Sequence, residues 1–377
     1  MSFPPHAAEQ PLLHPYDLGA VRLRNRIVMA PMTRARADNA ELVPTALHSE
    51  YYRQRAGAGL IVSEGLWISP GAIGAINVPG IYSQEQVKAW RTVTDAVHAE
   101  GGVIFAQLAH TGGASHPAFR GGHLPGAPSA VNPGIKVFTP TSGQVDTVTP
   151  RALSAEEIAE IVEEYRTAAV NAQRAGFDGV EIHAQRGYLI AQFLNPSLNL
   201  RTDHYGGSAE NRARFLFEVL DAVTAVWARH RVGVKFAPHQ VIGTGSVSPG
   251  VLAGHEYVAE RLDDHRLAYL HLMMTRRPNE TVTADQRLES LKRFRSLYRG
   301  ALVANASLDR ESGNAVIAEG LADLASYAQL FIANPDLPTR FAHGLPLAEA
   351  DRATFYQGGA GGYTGYPAAD RSLPLEA

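Results

Sequence analysis

The chain has no cysteine among its 377 residues. That excludes disulfides, thiolate nucleophiles and thiolate metal sites, and it leaves the redox compartment open. An excess of charge is also lacking: the formal net charge is −3 and the basic residues form no stripe, so no electrostatic footprint for nucleic acid is read. No run approaches the ~18–20 apolar residues that a membrane-spanning helix needs. The opening residues MSFPPHAAEQP have neither a basic n-region nor an apolar h-region, so no secretory signal is read. A cytoplasmic protein with no membrane or nucleic-acid partner is expected, with its oligomeric state open and no metal assigned.

What is present suits a large buried core: 45% hydrophobic and 19% charged residues. No linker divides the chain, so residues 1–377 are read as one domain, longer than the ~250 residues of a bare barrel. Eight short apolar runs alternate with longer helical patterns, the signature of βαβ units. The runs are Arg26–Ala30, Leu60–Glu64, Val103–Leu108, Gly179–His183, Val232–Phe236, Ala268–Leu272, Ala301–Ala304 and Leu324–Ala328. Several show no polar alternation, as in strands buried on both faces. Helices are expected over Gln84–Glu100, Ser154–Ala175, Glu210–His230, Ser290–Tyr298 and Arg310–Glu319. Ser154 and Glu157 form a capping box ahead of a stripe at Ile158, Ile161, Val162 and Tyr165. An open doubly wound sheet would carry a Gly-rich turn after its first strand; here that strand runs into Ala30-Pro31-Met32-Thr33. The fold class is therefore a (β/α)₈ TIM barrel. About 45 residues rich in Gly, Pro, Ser and Thr (109–153) follow the third strand. In a barrel this loop rises at the C-terminal mouth and is read as a cap over the site.

The segment Gly179-Val180-Glu181-Ile182-His183 ends a strand at a histidine, with Tyr188 five residues on. A strand-end His and a nearby Tyr can together polarise a carbonyl and deliver a proton. Around them, ordered matches run from Leu18 to Pro367. They include Ala30-Pro31-Met32-Thr33-Arg34, Ser63-Glu64-Gly65, Ala106-Gln107-Leu108, Gly179–His183, Arg201-Thr202-Asp203-His204-Tyr205-Gly206-Gly207-Ser208 and Phe331-Ile332-Ala333-Asn334-Pro335. Thr354-Phe355-Tyr356 and Gly362-Tyr363-Thr364 close the series. In these residues the sequence resembles the old yellow enzyme family of flavin-dependent ene-reductases.

The resemblance implies FMN across the barrel mouth, a nicotinamide reductant (NADH or NADPH), and a small-molecule substrate with an activated C=C bond. Carried over residue by residue, Pro31 and Thr33 lie against the flavin, with the Thr33 hydroxyl tuning it. Gly65 and Gln107 line its pyrimidine edge. His183 grips the substrate carbonyl, Tyr188 protonates the alkene carbon, and Tyr363 forms an aromatic wall of the cleft. Departures are as informative. The second carbonyl-gripping residue, usually Asn or His, is Arg186. The arginine facing the flavin's N1–O2 edge is Lys235. An aromatic substrate-side residue is Ala109, and the arginine that often ends its motif is Gly113. Where the family places a Gly against the phosphate, this chain has Asn305-Ala306-Ser307; where it has Gly-Arg, Ala328-Gln329 stands.

Replacing a bidentate arginine by Gln removes a charge-assisted pair worth roughly 1.5–3 kcal/mol, and added Cβ atoms oppose close approach of an anion. A combined loss of about 4 kcal/mol would weaken FMN binding roughly a thousandfold. Ser307 and Gln329 remain as uncharged candidates for the phosphate, with nicotinamide used only where FMN is bound. Three readings follow. The favoured one is a non-redox isomerisation, cyclisation or condensation of an enone, with FMN lost or weakly bound, using an oxyanion grip by His183 and Arg186 and acid–base action by Tyr188. The second is an FMN- and NAD(P)H-dependent ene-reductase. The third is a ligand-binding barrel without catalysis.

Overall fold

The computed structural model describes residues 10–19, 21–185, 187–242, 249–275, 281–305 and 307–369. Eight parallel strands close on themselves: β1 Ile27–Met29, β2 Leu60–Trp67, β3 Ile104–Ala109, β4 Gly179–Ala184, β5 Val232–Phe236, β6 Tyr269–Met273, β7 Leu302–Asn305 and β8 Leu324–Tyr327. Hydrogen-bonded neighbours run in chain order, and β8 pairs with β1 to complete the barrel. Each expected strand falls on an observed one within one residue at either end, except that β2 runs on to Trp67. The extension follows a bulge between Val62 and Gly65, which brings Gly65 opposite Gln107 and Trp67 opposite Ala109.

Helices α1 Ala46–Gln54, α2 Gln84–Ala99, α3 Ala155–Arg174, α4 Leu189–Leu194, α5 Ala209–Thr224, α6 Pro249–Asp263, α7 Ala284–Leu297, α8 Arg310–Ala318, α9 Gln329–Ala333 and α10 Leu337–His343 connect or follow the strands. The capping box read at Ser154 and Glu157 forms as expected at the start of α3, whose buried face carries Ile158, Ile161 and Tyr165. Two bounds differ. The helix expected to reach His230 ends at Thr224, before a 3₁₀ turn at Arg229–Arg231. The one expected from Ser290 begins at Ala284, because Thr283 caps it through Gln286 ahead of any apolar residue.

The barrel interior is layered. An antiparallel hairpin, Tyr16–Leu18 with Val21–Leu23, packs Leu18 and Leu23 against Val28, Leu60, Val62, Phe105, Tyr269, Val303 and Leu324. These are N-terminal or mid-strand positions, so the floor is apolar. Two residues further along the same strands, the inward positions become Gln107, His271, Asn305 and Ser326, all buried. The polar layer sits toward the C-terminal mouth, where barrel enzymes build their sites. The excursion at 109–153 has structure of its own: a hairpin of Lys136–Thr139 with Gly143–Asp146 and a short pairing of Gly126–Ala127 with Arg151–Ala152. No helix among the described residues is long and apolar enough to cross a membrane.

Candidate active site

His183 lies near the end of β4 and is almost fully buried, and its ring stacks on Tyr188 with centroids 4.6 Å apart and planes 22° from parallel. Tyr188 occupies the N-cap of α4, partly exposed, with the Trp67 ring 6.3 Å away. The loop that holds this pair is braced from the start of the cap segment. Leu189 N donates to the His110 carbonyl, and the Gln192 side chain donates to the carbonyls of Thr111 and Gly187 while accepting from Gly113 N. Arg186 lies outside the described residues.

Neighbouring strand ends supply the rest. Lys235 pairs in register with His183 on one side and His271 on the other. Gln107 stands opposite both Gly65 and Glu181. A Cβ added at Gly65 would come within 3.2 Å of Gln107 Oε1, so the glycine leaves that carbonyl oxygen room at the mouth. Pro31 and Thr33, both partly exposed, follow β1 on the next side of the rim. Ala109 is buried at the end of β3 opposite Trp67; the bulk missing at 109 is matched by an indole one strand over.

The ends of β7 and β8 carry neutral donors. The Asn305 amide turns inward and donates to the Ser326 carbonyl and hydroxyl, so it is committed to the barrel interior. Ser307 is exposed, accepts from Val282 N through Oγ, and has a φ of 50°, a left-handed conformation for which glycine is the ordinary residue. Arg287 of α7 donates to the Ser307 carbonyl at 2.7 Å. Gln329 is exposed at the first position of α9. Ala306 lies outside the described residues.

Tyr363 corrects an expectation. It is fully buried, stacked on Tyr51 at 4.0 Å, beneath the guanidinium groups of Arg34 and Arg36 at 5.3 and 5.1 Å. Those arginines also bind the carbonyls of Phe355, Thr354 and Gly362. The C-terminal motif is therefore a clasp that holds the Pro31–Arg34 segment from behind, and Tyr363 is part of its packing rather than a wall of the cleft.

Within that clasp Glu64 and His48 are fully buried, with Oε1 and Nε2 3.8 Å apart. Burial pushes Glu64 up to about 7, against the opposing pull of the Arg34 amide and the charges of Arg34 and Arg36. Burial and then the charge of Arg36 bring His48 down to about 4. The raised carboxyl contributes stability below its ordinary 4.5 that is lost as pH rises through about 7; the depressed imidazole contributes stability above its ordinary 6.5 that is lost as pH falls through about 4. Between these limits the two terms cancel, because folding moves one proton from His to Glu without changing the number bound. Glu64→Gln is expected to expose the histidine term alone. Its melting temperature should fall between pH 6.5 and 4 more steeply than that of the wild type, with a slope approaching one proton. Parallel pH profiles for the two proteins would refute the paired titration.

The sequence reading missed a polar chain across the barrel. Gln107 Nε2 donates to Glu181 Oε1 at 2.7 Å, His271 Nδ1 is 2.8 Å from Glu181 Oε2, and His271 Nε2 is 2.9 Å from Ser326 Oγ. The signal available was parity: Glu181 shares the inward face of its strand with His183, as Ser326 shares its own with Leu324.

The sequence family described as NADH:flavin oxidoreductase / NADH oxidase matches residues 11–348. The chain is 42% identical over 366 residues to 12-oxophytodienoate reductase 1 of Oryza sativa subsp. japonica, covering 96% of this chain and 94% of that one. The structure of morphinone reductase superposes with a TM-score of 0.92 at 41% identity, over 98% of this chain and 99% of the other. A further structure of that enzyme is in complex with tetrahydroNAD, with a TM-score of 0.89 at 42% identity over 97% and 99% of the two chains. The old yellow enzyme homologue from Zymomonas mobilis superposes with a TM-score of 0.88 at 38% identity, over 95% and 99%.

Proposed function

The chain belongs to the NADH:flavin oxidoreductase / NADH oxidase family, the old yellow enzyme family, and from that premise we propose that it is an FMN- and nicotinamide-dependent reductase of the C=C bond of small α,β-unsaturated carbonyl compounds. The observation that carries the reading is one mouth holding both halves of the chemistry: the His183–Tyr188 stack beside the Gln107, Gly65 and Lys235 edge. The non-redox reading favoured from the altered phosphate anchors gives way, because the relatives named above are reductases at about 40% identity over nearly the whole chain.

The donor set fits the cofactor's ring. Gln107 offers an amide, Lys235 a cation, Thr33 a hydroxyl, and Gly65 the space to bring a flat heteroaromatic against them. Ser307 and Gln329 would hold its phosphate; both can donate hydrogen bonds but supply no charge. FMN, when bound, supplies the hydride that reduces the alkene. The chain's own residues do the rest. His183, with Arg186, holds the substrate oxygen and stabilises the negative charge that grows there; preorganised donors of this kind are worth several kcal/mol. Tyr188 delivers the proton to the neighbouring carbon. Trp67 and Ala109, paired at the ends of β2 and β3, would bound the substrate space. The direct test is purified protein supplied with FMN and NADH or NADPH, with 2-cyclohexenone as probe. Anaerobic oxidation of the nicotinamide with formation of cyclohexanone is expected; a flavin-loaded protein that leaves the enone intact would overturn the reading.

A further inference from the structure

The polar chain inside the barrel converges on one group from two sides. The Asn305 amide donates to Ser326 Oγ at 2.8 Å, so the serine's own proton is directed to His271 Nε2 at 2.9 Å. His271 Nδ1 then carries the imidazole proton and donates to Glu181 Oε2 at 2.8 Å. From the other side Gln107 Nε2 donates to Glu181 Oε1 at 2.7 Å. Every link points at one carboxylate, and a carboxylate can only accept. The amide of Gln107 is consequently held with its nitrogen inward and its carbonyl oxygen outward, on the Gly65 side of the mouth.

We infer that Glu181 and His271 are positioning residues that fix the Gln107 side chain as a hydrogen-bond acceptor, so that the mouth recognises a ring N–H donor such as the imide N3–H of a bound flavin. The inference rests on the flavin reading above and adds to it a cause for the orientation of Gln107. Charge is consistent with the scheme. Burial acts to raise the Glu181 carboxyl, but His271, Lys235 and Gln107 more than offset it and hold it below its ordinary range, while burial and the Lys235 charge bring His271 down to about 4. At neutral pH the pair is a carboxylate facing a neutral imidazole, which leaves one tautomer and one direction.

Glu181→Gln separates this role from packing. An amide of the same shape can accept on one side only. Because His271 still donates from Nδ1, the introduced amide turns its carbonyl toward the histidine and its NH₂ toward Gln107. Gln107 must then flip and present NH₂ to the ring. Titrating the bound flavin by its absorbance reads the outcome. The Lys235 cation at the same edge favours loss of the N3–H proton in every variant, so the comparison is between variants: the proton should be easier to remove in Glu181→Gln than in the wild type, and FMN should bind at least ~10-fold more weakly, the cost of exchanging an acceptor for a donor against N–H. The charge-conserving swap Gln107→Glu/Glu181→Gln leaves His271 donating into position 181, reverses the link between 181 and 107, and places a carboxylate acceptor at the ring, so its N3–H titration should move above that of the wild type. That swap keeps the inference testable should the single variant fail to fold. A folded Glu181→Gln protein, or a folded swap, whose N3–H titration matches the wild type would overturn the positioning role alone. Wild-type protein that binds no added FMN would overturn the flavin reading together with it.

Discussion

Replacing Tyr188 by Phe is expected to lower turnover of an enone by ~10²–10⁴-fold while leaving substrate affinity within a few-fold of the wild type. The ring is held by more than its hydroxyl. It stacks on His183 at 4.6 Å and sits 6.3 Å from Trp67 at the N-cap of α4, and Phe satisfies those contacts equally. What is lost is the proton. In the proposed reaction that proton quenches charge developed on the substrate after reduction, so the loss should fall on kcat and spare binding. Single-turnover experiments sharpen the test: oxidation of reduced enzyme by enone slows in Tyr188→Phe, and reduction of the enzyme by nicotinamide does not. Arg186→Ala should behave differently. A cation that holds the oxygen serves ground state and transition state alike, so both kcat and affinity should drop. If Tyr188→Phe retains full turnover, the proton reaches the substrate by another route.

The strands were legible because each is a short apolar run buried on both faces, and such runs announce themselves whatever their neighbours. The helices were legible where an apolar stripe followed a cap, as in α3. They were not where burial is carried by polar residues. Helix α1 buries His48, Tyr51 and Tyr52, which leaves no aliphatic stripe to read, and α7 spends its first turn on Ala284-Asp285-Gln286-Arg287 before its buried Ser290, Leu291 and Phe294. The mouth residues His183, Lys235, Gln107 and Gly65 fall at strand ends, where a barrel must place them. Two features needed three dimensions. Tyr363 is adjacent in sequence to nothing that buries it; Tyr51, Arg34 and Arg36 do so from more than 300 residues away. Likewise Glu181, His271 and Ser326 come from three strands, and only closure of the barrel makes them one chain.

Restoring the charged phosphate anchor, as Ala328→Gly/Gln329→Arg, is expected to tighten FMN binding by about 10–150-fold, the equivalent of roughly 1.5–3 kcal/mol for a charge-assisted pair. The turn before α8 supports the expectation, since Ser307 holds a φ of 50°; the backbone keeps a path suited to glycine although the side chains have changed. Arg287 donates to the Ser307 carbonyl and keeps its charge beside this turn, so the double variant adds a second cation rather than the first. Riboflavin, which has the same ring and no phosphate, is the internal control. In the wild type, with neutral groups at Ser307 and Gln329 and Arg287 as the nearby cation, the preference for FMN over riboflavin should be modest; in the double variant it should widen, with riboflavin unchanged. Fluorescence titration of both ligands against both proteins measures all four constants. Equal gains for FMN and riboflavin would mean that the substitutions act on the ring. No gain for either would mean that the phosphate lies away from β7 and β8. Separation confined to FMN would place the loss of affinity at the phosphate, leaving the ring site formed by Gln107, Gly65 and Lys235 intact.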